Sequence, residues 1–553
     1  MPVASDQSRR VSVLPRAGGP APPLSPGLLA VALAGLVLVV FRPALEAGFE
    51  LVDDNLYVTD NPAVRAGLGW PGLRWAATAI VAGNWHPLTL LSHQLDVTLF
   101  GLDPRGHHLT SVLLHAATAA ILFLLLQAAT GATGRAFAAT TLFALHPLRV
   151  ESVVWVAERK DVLCGLLFLL ALGAYGRWTA RPGPGRLALL LTAFAAALAA
   201  KPMAVTLPAV ALLVDLWPLR RLRIDLPGWP RELRRRLVEK LPLALLAGGA
   251  SVLTWHAQGA AVADLTGVPL GLRLANAPLA VVDYLVHTLW PFRLAPFYPL
   301  PAAIPWPQAA AALVLLTLLT AAAVAAGRSQ PAIPVGWLAF LGMLVPVLGL
   351  VQVGNQASAD RYTYLPSIGL AVAIVWGTAG LATRTSMTRA LAVAAAGLAI
   401  LLGVATSAQA RRWHDSETLW SHTLEVSGPS FFAHHNLGLA LARSGRSTDA
   451  LLHLRAAVAL RPAYGQSRAA LGSLLLTLGR ADEAREQFER AIERDPTDPR
   501  KRLSLAQALE RLGRLEEAAA ALEAALALDP GYGAARQGLA EIRARLAELP
   551  PRP

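Results

Sequence analysis

Cysteine is almost missing: Cys164 is the only one in 553 residues. A lone thiol cannot close a disulfide within the chain or build a thiolate metal centre. Charge is also scarce. Asp, Glu, Lys and Arg make up 15% of the sequence, against about 25% in an ordinary soluble domain. No Gly-rich phosphate loop or nucleophile elbow occurs, which leaves nothing to suggest nucleotide-fuelled chemistry. If the chain is an enzyme, its activated substrate is carried in the lipid. The net charge of +13 does not mark a nucleic-acid binder. Much of it lies in short loops between apolar runs, as the positive-inside bias requires.

Hydrophobic residues make up 54% of the chain. Apolar runs long enough to approach the thickness of a bilayer lie near 24–42, 111–129, 136–146, 162–178, 186–200, 202–217, 241–257, 308–327, 335–351, 363–382 and 389–408. These eleven predict a polytopic helical bundle. The run 136–146 is short and has to extend or tilt. Arg9, Arg10 and Arg16 precede the first run, which reads as an uncleaved span. The segment 276–290 is a twelfth candidate, but it contains Asp283 and His287. Taken as crossing, it would put Arg328, Arg384 and Arg389 outside; taken as interfacial or re-entrant, it keeps them inside. We adopt the second. The organisation is then a cytoplasmic tail 1–23, a membrane domain 24–410 with outer loops 43–110, 147–161, 258–307 and 352–362, and an arm at 411–547 on the outer side. Residues 548–553 read as a frayed end.

The arm carries a strict repeat. Gly445, Gly479 and Gly513 are 34 residues apart, as are Ala450, Ala484 and Ala518, and Pro462, Pro496 and Pro530. That is the tetratricopeptide pattern of stacked helix pairs. Full repeats fall at about 431–464, 465–498 and 499–532, after a half-repeat at 413–427 and before a closing helix at 533–547. The fold class is therefore all-α: a multi-span bundle followed by an α-solenoid.

Five clusters sit where the spans meet the outer loops. Asp53 and Asp54 follow the first span. Adjacent carboxylates repel, so one tends to titrate high. Such a group either serves as a base or metal ligand, or caps a turn. His86 and His93 are seven apart on one helical face and, with Asp54, make a conceivable metal set for Mg or Mn, though most such histidines are polar loop residues. His146, Arg149, Glu151, Arg159 and Lys160 crowd the 147–161 loop. They suit either a phosphate, which arginine forks bind bidentately, or local ion pairs. Lys201 between two spans and Arg361 beside Tyr362 and Tyr364 either snorkel to the interface or clamp a lipid phosphate.

Taken in order, these motifs resemble a family. The acidic pair, the Asn84–Gln94 stretch, His146-Pro147 through Asp161, Lys201-Pro202 and Arg361 to Ser367, followed by the repeats, look like the transmembrane and tetratricopeptide-repeat O-mannosyltransferases, in a bacterial form. The resemblance covers roughly 25–540. It implies a GT-C-type membrane fold and transfer of a sugar, with mannose as the first candidate, from a polyprenyl-phosphate to a protein or peptide acceptor. It also implies a catalytic role for Asp53 and Asp54 and a place in the bacterial inner membrane with the repeats periplasmic. The basic residues Arg149, Arg159, Lys160, Lys201 and Arg361 are assigned to the donor phosphate on chemistry alone. A lipid-linked glycan ligase or polymerase, or a membrane-anchored scaffold without catalysis, are the competing readings.

Overall fold

A computed structural model describes residues 25–224, 226–263, 268–301, 303–349, 356–382 and 384–548. The expected tail 1–23, residues 549–553 of the expected frayed end 548–553, and the loop parts at 264–267, 302 and 352–355 lie outside the described residues, while Glu548 ends the last helix.

Among the described residues, each apolar run is mainly helical. Four helices among these residues are long and apolar enough to cross a membrane: Pro104–Thr130, Val156–Ala180, Trp306–Ala326 and Thr385–Arg411. A fifth crossing arises if Trp229–Glu239 and Leu241–Gly259, bent by 52°, form one span. Pro26–Val40, Pro184–Ala200, Pro202–Leu216, Ala332–Val347 and Pro366–Gly380 are shorter apolar helices. The run at 136–146 forms Thr133–Ala144, 12 residues long. At about 1.5 Å per residue it falls well short of the hydrocarbon core. It gains three residues at its start but stops before His146-Pro147. The twelfth candidate is a helix as well, Leu270–Leu289, with one face buried and Leu270, Leu274 and Leu289 exposed.

Proline marks the starts. Pro26, Pro87, Pro104, Pro184 and Pro366 each occupy the first turn of a helix, where a missing N–H costs nothing. Two glycines set a very close helix contact. A Cβ on Gly336 would lie 2.3 Å from the Gly369 carbonyl oxygen, and one on Gly369 would lie 2.5 Å from that of Gly336. The helices Ala332–Leu344 and Pro366–Gly380 therefore meet backbone to backbone, as small residues permit in membranes. Gly336→Ala must push them apart, and overpacking of this kind typically costs roughly 1–3 kcal/mol. A clear fall in Tm in detergent is expected, and an unchanged Tm would contradict this packing.

In the arm, each repeat glycine ends a first helix. Gly445, Gly479 and Gly513 have φ of 78°, 75° and 72°, the left-handed position that closes a helix without Cβ strain. The repeated Ala450, Ala484 and Ala518 are fully buried in the second helices. The last span, Thr385–Arg411, runs almost directly into the first arm helix, Ser416–Ser427. A short antiparallel ribbon, Tyr298–Pro299 with Gln356–Ser358, links two outer loops.

Candidate functional site

The segment after the first helix turns at Asp53, whose φ of +64° is left-handed. Asp is among the few non-glycine residues that adopt this conformation. The reversal sends the two adjacent carboxylates to different places. Asp54 is buried, and its oxygens accept from the backbone N–H of Glu50 at 2.8 Å and of Ala157 at 2.7 Å. It is a structural staple between two loops. Asp53 lines a cavity of about 590 Å³. Burial raises its pKa above the ordinary carboxylate range, with Lys160 opposing the shift.

Across that cavity stand three cations, Lys160, Lys201 and Arg361. One carboxylate gathers them: Glu158 lies 3.1 Å from Lys160, 3.4 Å from Lys201 and 3.3 Å from Arg361 Nε. Lys201 also pairs with Asp161 at 2.5 Å, and Arg361 pairs with Glu151. The three cationic side chains keep 11–13% exposure. Their remaining N–H groups can still meet an anion. Lys160 Nζ sits 4.9 Å from the centre of the Tyr57 ring, and His86 stacks on the same ring at 5.3 Å. Burial, and then Lys160, lower the His86 pKa to about 3, so this imidazole is neutral. Asn84, Ser251, Thr254, Gln258, Gln356 and Tyr362 add further polar groups to the lining.

Several anticipated residues are elsewhere. Arg149 is fully buried, donates to the Thr363 carbonyl and hydroxyl at 3.0 and 2.7 Å, and does not line the cavity. Arg159 turns inward to Asp96 at 2.5 Å and to the backbone oxygens of Ser92 and His107. Neither guanidinium can be assigned to a donor phosphate, because each is consumed by the protein interior. Arg159→Met strands Asp96 as a buried, unpaired charge, a loss of about 3–5 kcal/mol. The expected result is a large fall in Tm; a stable variant that loses only donor affinity would restore Arg159 to the site. His93 packs beside Tyr57 and His107 and is walled off from the cavity. His146 bonds the Thr288 carbonyl at 3.0 Å and caps the turn at Leu148. The Tyr364 hydroxyl pairs with His115 at 2.7 Å. Glu151 acts only through Arg361.

The Asp54 and His93 metal set does not form. The Asp54 oxygens are taken by amides, and no group of three His, Cys, Asp or Glu among the described residues is arranged to hold an ion. Asp54 and His93 therefore do not make a metal site.

Residues not singled out from sequence close the cavity. Glu158 was hidden inside a mixed charge run. Trp155 donates to the Val52 carbonyl at 3.1 Å, with Arg361 5.4 Å from the centre of its ring. The far wall comes from Phe297 and from two arm residues, Trp420 and Phe432. Phe297 and Phe432 stack at 4.6 Å. The cavity and the arm root thus lie on the same side of the bundle.

Comparison with known proteins agrees with this layout. The Tetratricopeptide repeat family matches at residues 435–499, 469–533 and 503–549. The chain is 25% identical over 515 residues to Protein O-mannosyl-transferase TMTC1 of Homo sapiens, covering 82% of this chain and 57% of that protein. It is 27% identical over 526 residues to Protein O-mannosyl-transferase Tmtc1 of Drosophila melanogaster, covering 78% and 61%. The chain thus spans about six-tenths of the length of these relatives. Among solved structures, MamA aligns over 24% of this chain and 77% of its own with 19% identity and a TM-score of 0.23. ArnT from Cupriavidus metallidurans, bound to undecaprenyl phosphate, aligns over 90% and 79% with 14% identity and a TM-score of 0.35. Such loose superpositions carry no weight for function. At the level of sequence, the chain is similar to the transmembrane and tetratricopeptide-repeat O-mannosyl-transferases.

Proposed function

We propose that this protein is a membrane glycosyltransferase that moves a sugar, mannose first among candidates, from a polyprenyl-phosphate to a hydroxyl of a protein or peptide. One observation carries the reading: Asp53, a carboxylate with no ion pair of its own among the described residues, shares a cavity with three cations and with two residues of the repeat arm, while the second lining carboxylate, Glu158, is taken up by those cations. The acceptor oxygen attacks the anomeric carbon. The bond from that carbon to the phosphate oxygen breaks, and the phosphate leaves with the electron pair. Asp53 takes the acceptor proton. Lys160, Lys201 and Arg361 stabilise the charge that collects on the departing phosphate. Neutral His86 and Asn84 offer hydrogen-bonding groups to the sugar. No metal enters the scheme. The reaction faces the outer side of the membrane, and the arm holds an extended acceptor in its concave groove.

The activity of the relatives supports the reading, and so does the cost of the site. A scaffold has no use for five charged side chains gathered around a cavity. The test is direct. Membranes containing the protein are given labelled polyprenyl-phosphate-mannose and peptides rich in Ser and Thr. Label should move to the peptide with release of polyprenyl phosphate. No transfer from mannosyl, glucosyl or other hexosyl donors would sink the proposal. Protease shaving of sealed right-side-out vesicles, read with a C-terminal tag, checks the side. Loss of the tag in intact vesicles is expected, and protection would put the arm and the cavity inside.

A further inference from the structure

The loop that carries Asp53 is not held by the membrane domain alone. Ser416, the first residue of the first arm helix, donates its hydroxyl to Glu50 Oε2 at 2.7 Å and accepts from the Leu51 N–H at 3.4 Å. The Gly48 N–H donates to the His414 carbonyl at 3.1 Å. The Glu50 N–H in turn fixes Asp54, two residues before the turn closes. Trp155 adds a brace: its indole holds the Val52 carbonyl, and its ring packs on Trp413 at 5.8 Å. Two backbone groups, the N–H of Gly48 and of Leu51, thus reach arm-root residues directly, and the Val52 carbonyl does so through Trp155. Asp53 follows in a conformation that an unsupported loop would rarely hold.

We propose that Ser416 is a positioning residue for the reaction: through Glu50 and Asp54, the root of the repeat arm sets the backbone turn that aims Asp53 into the cavity. The root of the arm is then part of the catalytic site. The geometry has three consistent features. Ser416 and Glu50 are both buried, so their bond is shielded from water. The bond spans the junction between arm and bundle. The same arm root supplies Trp420 and Phe432 to the cavity wall.

This inference rests on the transferase reading above, and the experiment separates the two. Full-length Ser416→Ala, Ser416→Thr and Asp53→Asn are assayed with polyprenyl-phosphate-mannose and a Ser/Thr peptide, and the amide hydrogen exchange of each is measured. Ser416→Ala should lower kcat by about tenfold, the rate equivalent of one buried hydrogen bond, with donor and acceptor KM unchanged. Exchange should rise in residues 48–55 and stay constant across 431–548. Ser416→Thr, which keeps the hydroxyl, should restore the rate. The proposal is overturned if Ser416→Ala stays within twofold of the parent kcat while Asp53→Asn is dead. It is also overturned if exchange rises throughout the arm, which would make Ser416 a general structural contact, or if Thr fails to rescue. Full transfer by Asp53→Asn would instead refute the site assignment beneath it.

Discussion

Asp53→Asn abolishes sugar transfer and leaves the protein folded. The backbone is the first reason. The left-handed turn at residue 53 is open to Asn as well as Asp, so the loop keeps its shape. The amide is the same size as the carboxylate, fills the same place in the cavity and cannot accept a proton. Loss of a general base costs roughly 10²–10⁴-fold in rate. The stability change has the opposite sign. Burial raises the pKa of Asp53, so above the ordinary carboxylate range the folded state has to keep a charge it disfavours. The neutral amide removes that cost, and Tm at neutral pH should stay level or rise. Asp54→Asn is the control. It weakens a staple that accepts two backbone N–H groups, so Tm should fall. In the parent protein, kcat should decline on the acid side as Asp53 takes up its proton, at a pH above that of a free carboxylate. Full activity in Asp53→Asn, with Asp54→Asn dead but stable, would exchange the roles of the two carboxylates.

Lys160→Met has the second largest expected effect, and the ion network explains why this lysine is the informative one. Removing Arg361 would strip Glu151 of its partner and bury an unpaired charge, so activity would be lost through folding. Removing Lys201 would do the same to Asp161. Lys160 differs. Its carboxylate, Glu158, keeps Lys201 and Arg361. The lost charge then reads out on the leaving phosphate. Removal of a preorganised group facing developing charge costs on the order of 10²–10³-fold in kcat. Donor KM should change far less, because the ground-state phosphodiester carries less charge than the departing monoester. Steady-state kinetics with a varied donor decide the matter. A kcat within threefold of the parent would remove Lys160 from the leaving-group site.

The repeats were legible because tight turns and close helix contacts allow few residues, and the same few recur every 34 positions. The spans were legible because hydrocarbon demands apolar length. The side-chain directions at the site were not. Asp53 and Asp54 are equivalent as letters, and only the φ of +64° separates a cavity residue from a staple. Arg159 and Lys160 are neighbours at a helix start, yet one faces Asp96 in the interior and the other faces the cavity. The sign of the charge was visible in both cases, but its bearing depended on helix phase and on partners far away in the chain. The contribution of Trp420 and Phe432 had no local signal at all. It follows from how the last span aims the first arm helix.

The junction also bears on how such proteins diversify. Among the described residues, the hydrogen bonds and ring contacts from the last span and arm to the rest of the bundle come from residues 406–432, including Thr406 to Leu145, His422 to Leu294 and Phe432 to Phe297. Beyond that root, each helix pair leans mainly on its neighbours. Repeats added or removed past Gly465 would change the reach of the solenoid and leave the chemistry alone. Substrate range and catalysis are therefore separable traits: evolution can tune the length of the arm as a free parameter while its root stays fixed by the reaction.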